Sequence, residues 1–169
     1  MAAAKSKYTV PGLDKSTGEK VVKILQGRLA AYNDLHLTLK HVHWNVIGPN
    51  FISVHEMIDP QVEQVRLYAD EAAERIAALG GAPLGTVGSI VAERTLPEYP
   101  LARDTAMNHL AALDEIYTKL ISDNRETFEA LEDDLVSQDL LVSATGELEK
   151  FQWFIRAHLE NAGGQIPTH

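Results

Sequence analysis

Two short segments of this 169-residue chain concentrate side chains able to bind a metal ion: His43 with Trp44, and, further on, His55, Asp59, Asp70 and Glu74. His55 and Asp59 stand four residues apart, as do Asp70 and Glu74, so on a helix each pair shares one face with Cβ atoms about 5–6 Å apart. Each pair can grip one ion. The chain has no cysteine, which excludes disulfides, thiolate ligands and thiol redox chemistry. Any metal must rest on nitrogen and oxygen. Such a donor set suits iron, manganese or zinc, and open positions with hard oxygen ligands favour redox work on iron over a closed structural site.

Spacing constrains how these groups can cooperate. Asp59 and Asp70 are eleven residues apart, which on one helix separates them by about 16 Å along the axis at a rise of 1.5 Å per residue. They cannot hold the same ion within one chain. If all five ligands serve one centre, their helix must lie antiparallel beside the same helix of a second subunit. His55 and Asp59 then face the partner's Asp70 and Glu74, and the two-fold interface carries two symmetric centres. Two weaker mononuclear sites per chain, one on each local pair, form the alternative that needs no dimer. Pro60 is expected to remove the hydrogen bond to residue 56 and to kink the axis. Taken singly, each pair reads as a solvated helix face, and Glu74 with Arg75 as surface ion-pairing groups. Together they adjoin apolar stripe positions, where a charge without partner or metal is costly.

The elements that must position them are long helices. From Lys15, apolar residues recur at three- and four-residue steps through Val21, Val22, Leu25, Leu29, Tyr32, Leu35, Leu39 and Val42, so a first helix runs to about Val46. Gly48, Pro49 and Asn50 break it. Asn50 or Ser53 is expected to cap a second helix, continuing through Val54, Ile58, Val62, Val65, Ala69, Ala72, Ile76 and Leu79 until Gly80 and Gly81 stop it. The stretch from Ala82 to Pro100 holds three prolines around a segment long enough for one short helix in a crossover. A third helix is predicted from about Leu101 to Asn124, and a last one after Glu132, Asp133 and Asp134, through Leu140, Leu148, Phe151 and Leu159. The fold class is therefore all-α: a ferritin-like four-helix bundle, up-down-down-up, with a short extra helix in the crossover between the second and third. Residues 1–15 read as an N-terminal tail, 16–160 as the bundle and 161–169 as a short C-terminal tail.

The run from His43 through Trp44 and Gly48 to His55 and Asp59 resembles the signature of the Dps family, the DNA-binding proteins from starved cells. The segment Asp70, Glu71, Ala72, Ala73, Glu74, Arg75, followed by Leu79, Gly80 and Pro83, resembles that family's other motif, and the similarity covers nearly the whole chain. The resemblance implies a hollow homo-dodecamer with ferroxidase centres between subunits. It also implies iron(II) oxidised with hydrogen peroxide and ferric mineral stored inside. His43, His55, Asp59, Asp70 and Glu74 fill the five ligand places, for one or two irons. Trp44 matches a tryptophan beside the centre, and is expected to pack in the core as well.

The remaining charged residues support weaker readings. His36 is a secondary metal candidate; His41 falls at another angle of the first helix; His109, His158 and His169 lack acidic partners at ligand spacing and suit surface or packing roles. The patch Glu132, Asp133, Asp134 with Asp139 is a candidate lining for an iron-uptake pore. With 24 acidic against 15 basic residues, the formal charge is −9, opposite to that of a dedicated phosphate-backbone binder. Lys5, Lys7 and Lys15 make only a weak basic arm for DNA. No segment resembles a signal or membrane span, so a cytoplasmic location is expected. The leading function is a ferroxidase and iron-storage cage; alternatives are a nucleoid DNA-binding module, a metal-dependent hydrolase and a purely structural bundle.

Overall fold

The structure, a computed structural model, describes residues 8–161. The readings of Lys5, Lys7 and His169 lie outside the described residues. Four long helices, α1 (Lys15–Asn45), α2 (Phe51–Ala78), α4 (Ala106–Glu126) and α5 (Leu135–Asn161), form the bundle, and the short α3 (Val87–Glu93) lies in the crossover between α2 and α4. No helix among the described residues is long and apolar enough to cross a membrane.

The apolar stripe of α1 is where the periodicity places it: Leu25, Tyr32, Leu35, Leu39 and Val42 are buried, against Val54, Ile58, Val65, Ala72 and Ile76 of α2 and Leu110, Leu113, Tyr117 and Leu120 of α4 in a single core. Val22 is only partly buried at its edge. Within that core one polar knot ties three helices. Asn124 on α4 donates to the Tyr32 hydroxyl and to Thr145 Oγ1, both at 3.1 Å, while Arg28 Nη1 donates to Asn124 Oδ1 at 3.2 Å. Burial pushes the Tyr32 phenol up to about 12.

Two expected boundaries move. The third long helix begins at Ala106, not Leu101, because Asp104 and Thr105 extend to pair in parallel with Val46 and Ile47 as strands β2 and β1. Thr105 then caps α4, accepting from Asn108 N–H. Asn50 occupies the cap position of α2 without a side-chain bond, and Ser53 lies inside the helix, its hydroxyl donating to the Asn50 carbonyl. α2 runs unbroken through Pro60. It ends at Gly80, whose φ of +83° favours glycine, and a Cβ at Gly81 would come within 2.8 Å of Val22 and 2.9 Å of Ile76.

Side chains of α1 strap the crossover down. Gln26 donates to the Leu84 carbonyl and accepts from its N–H, both at 2.9 Å. Further on, Arg94 donates to Asp34 at 2.7 Å and also holds Glu98 and the Pro97 carbonyl. The far end of α2 is pinned to α5 by Arg75, whose Nη2 reaches both carboxylate oxygens of Asp134 at 2.9 Å while Nε reaches Ser137. This overturns Asp134 as a pore residue: it is buried in an ion pair, whereas Glu132, Asp133 and Asp139 are exposed.

Burial acts to raise the Asp134 pKa, but hydrogen bonds from Ser137 and Arg75 outweigh it and hold the carboxyl below its ordinary range. A carboxyl whose folded pKa is depressed stabilises the fold above its unfolded value and loses that contribution as pH falls through the folded one. Asp134→Ala should therefore cost about 3 kcal/mol near neutral pH in urea unfolding, because it strands the Arg75 cation. The deficit should shrink as the pH is lowered below about 4. A deficit that does not change with pH contradicts the ion pair.

Candidate metal centre

The turn from α1 into α2 builds half of the candidate centre. Gly48 at φ +100° lets the chain reverse, and Phe51 N–H bonds back to the Gly48 carbonyl at 3.0 Å. β1, held by β2, fixes the strand leaving α1. The two helices then run antiparallel, bringing the Tyr32 and Tyr68 rings to 5.8 Å and the His43 and His55 rings to 3.6 Å in a stack tilted by 23°.

The two histidines are fastened reciprocally. His43 Nδ1 lies 3.1 Å from the His55 carbonyl, and His55 Nδ1 lies 2.9 Å from the His43 carbonyl. A carbonyl oxygen only accepts, so each Nδ1 must carry the hydrogen, which leaves Nε2 as the nitrogen whose lone pair can meet a cation. This is the arrangement by which ligating histidines are ordinarily oriented: one nitrogen donates to a fixed acceptor and the other meets the cation. His43 is buried and His55 half-buried against the Phe51 ring at 5.0 Å. Asp59 completes the cluster, with Oδ1 at 3.2 Å from His43 Nδ1.

Asp70 and Glu74 lie exposed farther along α2. Among the described residues of one chain, no three histidine or acidic side chains stand close enough to hold a metal ion together. Within one chain the structure stacks His43 on His55 and sets Asp59 beside His43, short of a metal-holding triad, and leaves Asp70 and Glu74 farther along α2. The donor chemistry of both halves fits iron: imidazole nitrogen and hard carboxylate oxygen, without sulfur.

Lys40 escapes the ligand-spacing argument. Its Nζ lies 3.2 Å from Asp59 Oδ1 and 5.8 Å from the centroid of the Trp44 ring. The available signal was position alone, since Lys40 lies one helical turn before His43 and Trp44. Trp44 itself is 72% exposed, so its expected packing in the core is overturned. His36 is remote from the other histidines; it lines a surface groove with Glu63, Arg66 and Asp70, where burial, acting with the Arg66 charge, lowers its pKa. His41 donates to the Leu101 carbonyl, His109 is fully buried against the Tyr99 hydroxyl, and His158 bonds the Phe154 carbonyl, all packing roles.

A family model described as a ferritin-like domain matches residues 22–163. A DNA protection during starvation protein from Mycolicibacterium smegmatis is 64% identical over 163 residues, spanning 96% of this chain and 88% of that protein. The solved structure of Mycobacterium smegmatis Dps in a tetragonal form superposes with a TM-score of 0.92 at 63% identity, covering 95% of this chain and 98% of that one. DpsA14 from Streptomyces coelicolor superposes with a TM-score of 0.93 at 54% identity, covering 99% and 100%.

Because Lys40 neutralises Asp59, a cation must displace or share it. Lys40→Met should tighten cobalt(II) binding about 5-fold, the equivalent of roughly 1 kcal/mol for an exposed pair. Isothermal titration of the two proteins measures this, and unchanged or weaker binding contradicts the competition.

Proposed function

The chain belongs to the Dps family of ferritin-like proteins, and from that premise we propose that it is a ferroxidase and iron-storage cage whose centres are each shared by two subunits. One observation supports this reading above the others. The reciprocal Nδ1 bonds leave the Nε2 atoms of His43 and His55 as the lone-pair donors, Asp59 lies beside His43 Nδ1, and Asp70 and Glu74 repeat a ligand pair too far along the same helix to help. An antiparallel partner brings its own Asp70 and Glu74 to this half-site, and a dodecamer encloses the mineral. The cytoplasm is the compartment that suits such a cage.

Iron(II) is the substrate. His43 and His55 bind it through nitrogen, Asp59 and the partner's Glu74 bridge or ligate it, and the partner's Asp70 ligates or orients through its neighbours. Two iron(II) ions each lose one electron and one hydrogen peroxide accepts both. Its O–O bond breaks without releasing a hydroxyl radical, and the ferric ions hydrolyse to oxyhydroxide with release of protons. Trp44, exposed beside His43, and Lys40, over its ring, border the centre.

Binding of DNA through Lys5, Lys7 and Lys15 ranks second. The relative from Mycolicibacterium smegmatis carries DNA protection in its name, but here Lys15 lies 4.0 Å from Glu19 and the whole chain carries −9. Low-salt binding that vanishes on removal of residues 1–15 would support it.

Complementation tests the shared centre. His43→Ala with Asp59→Ala in one chain, and Asp70→Ala with Glu74→Ala in another, should each abolish peroxide-driven iron(II) oxidation. Co-assembled in equal amounts, half of the two-fold pairs are mixed and each mixed pair holds one intact centre, so about a quarter of the unsubstituted rate should return. A mixture no more active than its components contradicts the reading.

A further inference from the structure

One stripe of α2 carries six polar residues, the half-buried His55 and the exposed Asp59, Glu63, Arg66, Asp70 and Glu74, at steps of four, four, three, four and four. At 100° per residue these positions fall within an arc of about 100°. They are also symmetric: His55 and Glu74, Asp59 and Asp70, and Glu63 and Arg66 are each equidistant from the peptide joining Gln64 and Val65. The outer two pairs are the ligand halves of the proposed centre. The innermost pair consists of opposite charges and has no part in that centre.

Within one chain Glu63 and Arg66 barely engage. Their closest approach is 3.4 Å, and their side chains remain 73% and 61% exposed. An exposed pair three residues apart on a helix contributes little. Nothing in the fold requires them, because the core face of α2 is made of Val54, Ile58, Val62, Val65, Ala69, Ala72 and Ile76. Beside them runs an open groove of about 600 Å³, lined by Leu29, His36, Leu67 and Asp70 among others.

We propose that Glu63 pairs with the partner's Arg66 and Arg66 with the partner's Glu63 at the two-fold axis of the shared centre, so that these two residues, which serve neither the core nor the ligand set, hold the two copies in register. The proposal rests on the reading that the partner's Asp70 and Glu74 complete each centre, since that register places the axis between Gln64 and Val65. Electrostatics gives the pair its purpose. In that register Asp59, already paired with Lys40 at 3.2 Å, faces the partner's Asp70, and the two central pairs add a direct attraction of opposite charges between the helices before metal arrives.

Charge swapping tests it in the full chain. E63R sets arginine against arginine at both central positions of a homotypic pair, and R66E sets glutamate against glutamate; each variant alone should pair ~100-fold more weakly and lose iron(II) oxidation accordingly. In a mixed pair the introduced arginine faces the introduced glutamate, and the unchanged Arg66 of one chain faces the unchanged Glu63 of the other. Differently tagged chains expressed together should therefore assemble in equal proportion and regain the rate. The combined variant E63R/R66E on one chain should pair with itself. The mixed result separates this proposal from a local structural role, because the intrachain pair stays broken in both chains. Native mass reports pairing without reference to activity, so failure of the ligand reading and failure of this one are distinguishable. Pairing unmoved by either single change, or mixed chains no better paired than either alone, overturns the proposal.

Discussion

The α-helix advances 1.5 Å per residue, and that fixed rise governs the proposed centre. α2 carries both ligand pairs on one exposed stripe, yet eleven residues keep Asp59 and Asp70 about 16 Å apart. No side-chain rotation closes such a gap. A chain with this spacing either binds cations weakly in two places or uses a second copy of itself to complete each site. The second arrangement makes assembly a condition of chemistry, and it gives the exposed acidic groups of α2 a reason to be left uncovered by their own chain.

The fold serves that requirement by making α1 and α2 a rigid pair. The reversal at Gly48, the two-residue strand pairing and the crossed bonds between His43 and His55 hold one half-site before any metal is present. At the other end, Arg75 anchors the helix turn that bears Glu74 to Asp134 and Ser137. Both half-sites therefore sit on fixed backbone, the condition under which ligand geometry is set by the protein more than by the ion.

Much of this was legible in the residues. The bundle follows from stripes such as Val21, Leu25, Leu29, Tyr32 and Leu35, whose period burial then bears out, and the family from the His43–Asp59 and Asp70–Arg75 segments. What stayed hidden has physical reasons. β1 and β2 are two residues each, too short for any periodicity, so the start of α4 was misplaced by them. An acidic residue does not announce burial, and Asp134 lies inside because Arg75 reaches it from another helix. Trp44 is large and apolar, yet its position on α1 turns it outward. Lys40 gains meaning only once α2 folds back and presents Asp59.

The central claim is that one metal centre draws ligands from two chains. A crystal of the assembled protein, loaded anaerobically with iron(II) and measured at the iron absorption edge, examines it directly. The predicted result is an anomalous peak bounded by His43, His55 and Asp59 of one subunit and by Asp70 and Glu74 of its neighbour. Iron bound within a single subunit, on His55 with Asp59 or on Asp70 with Glu74 alone, would contradict it.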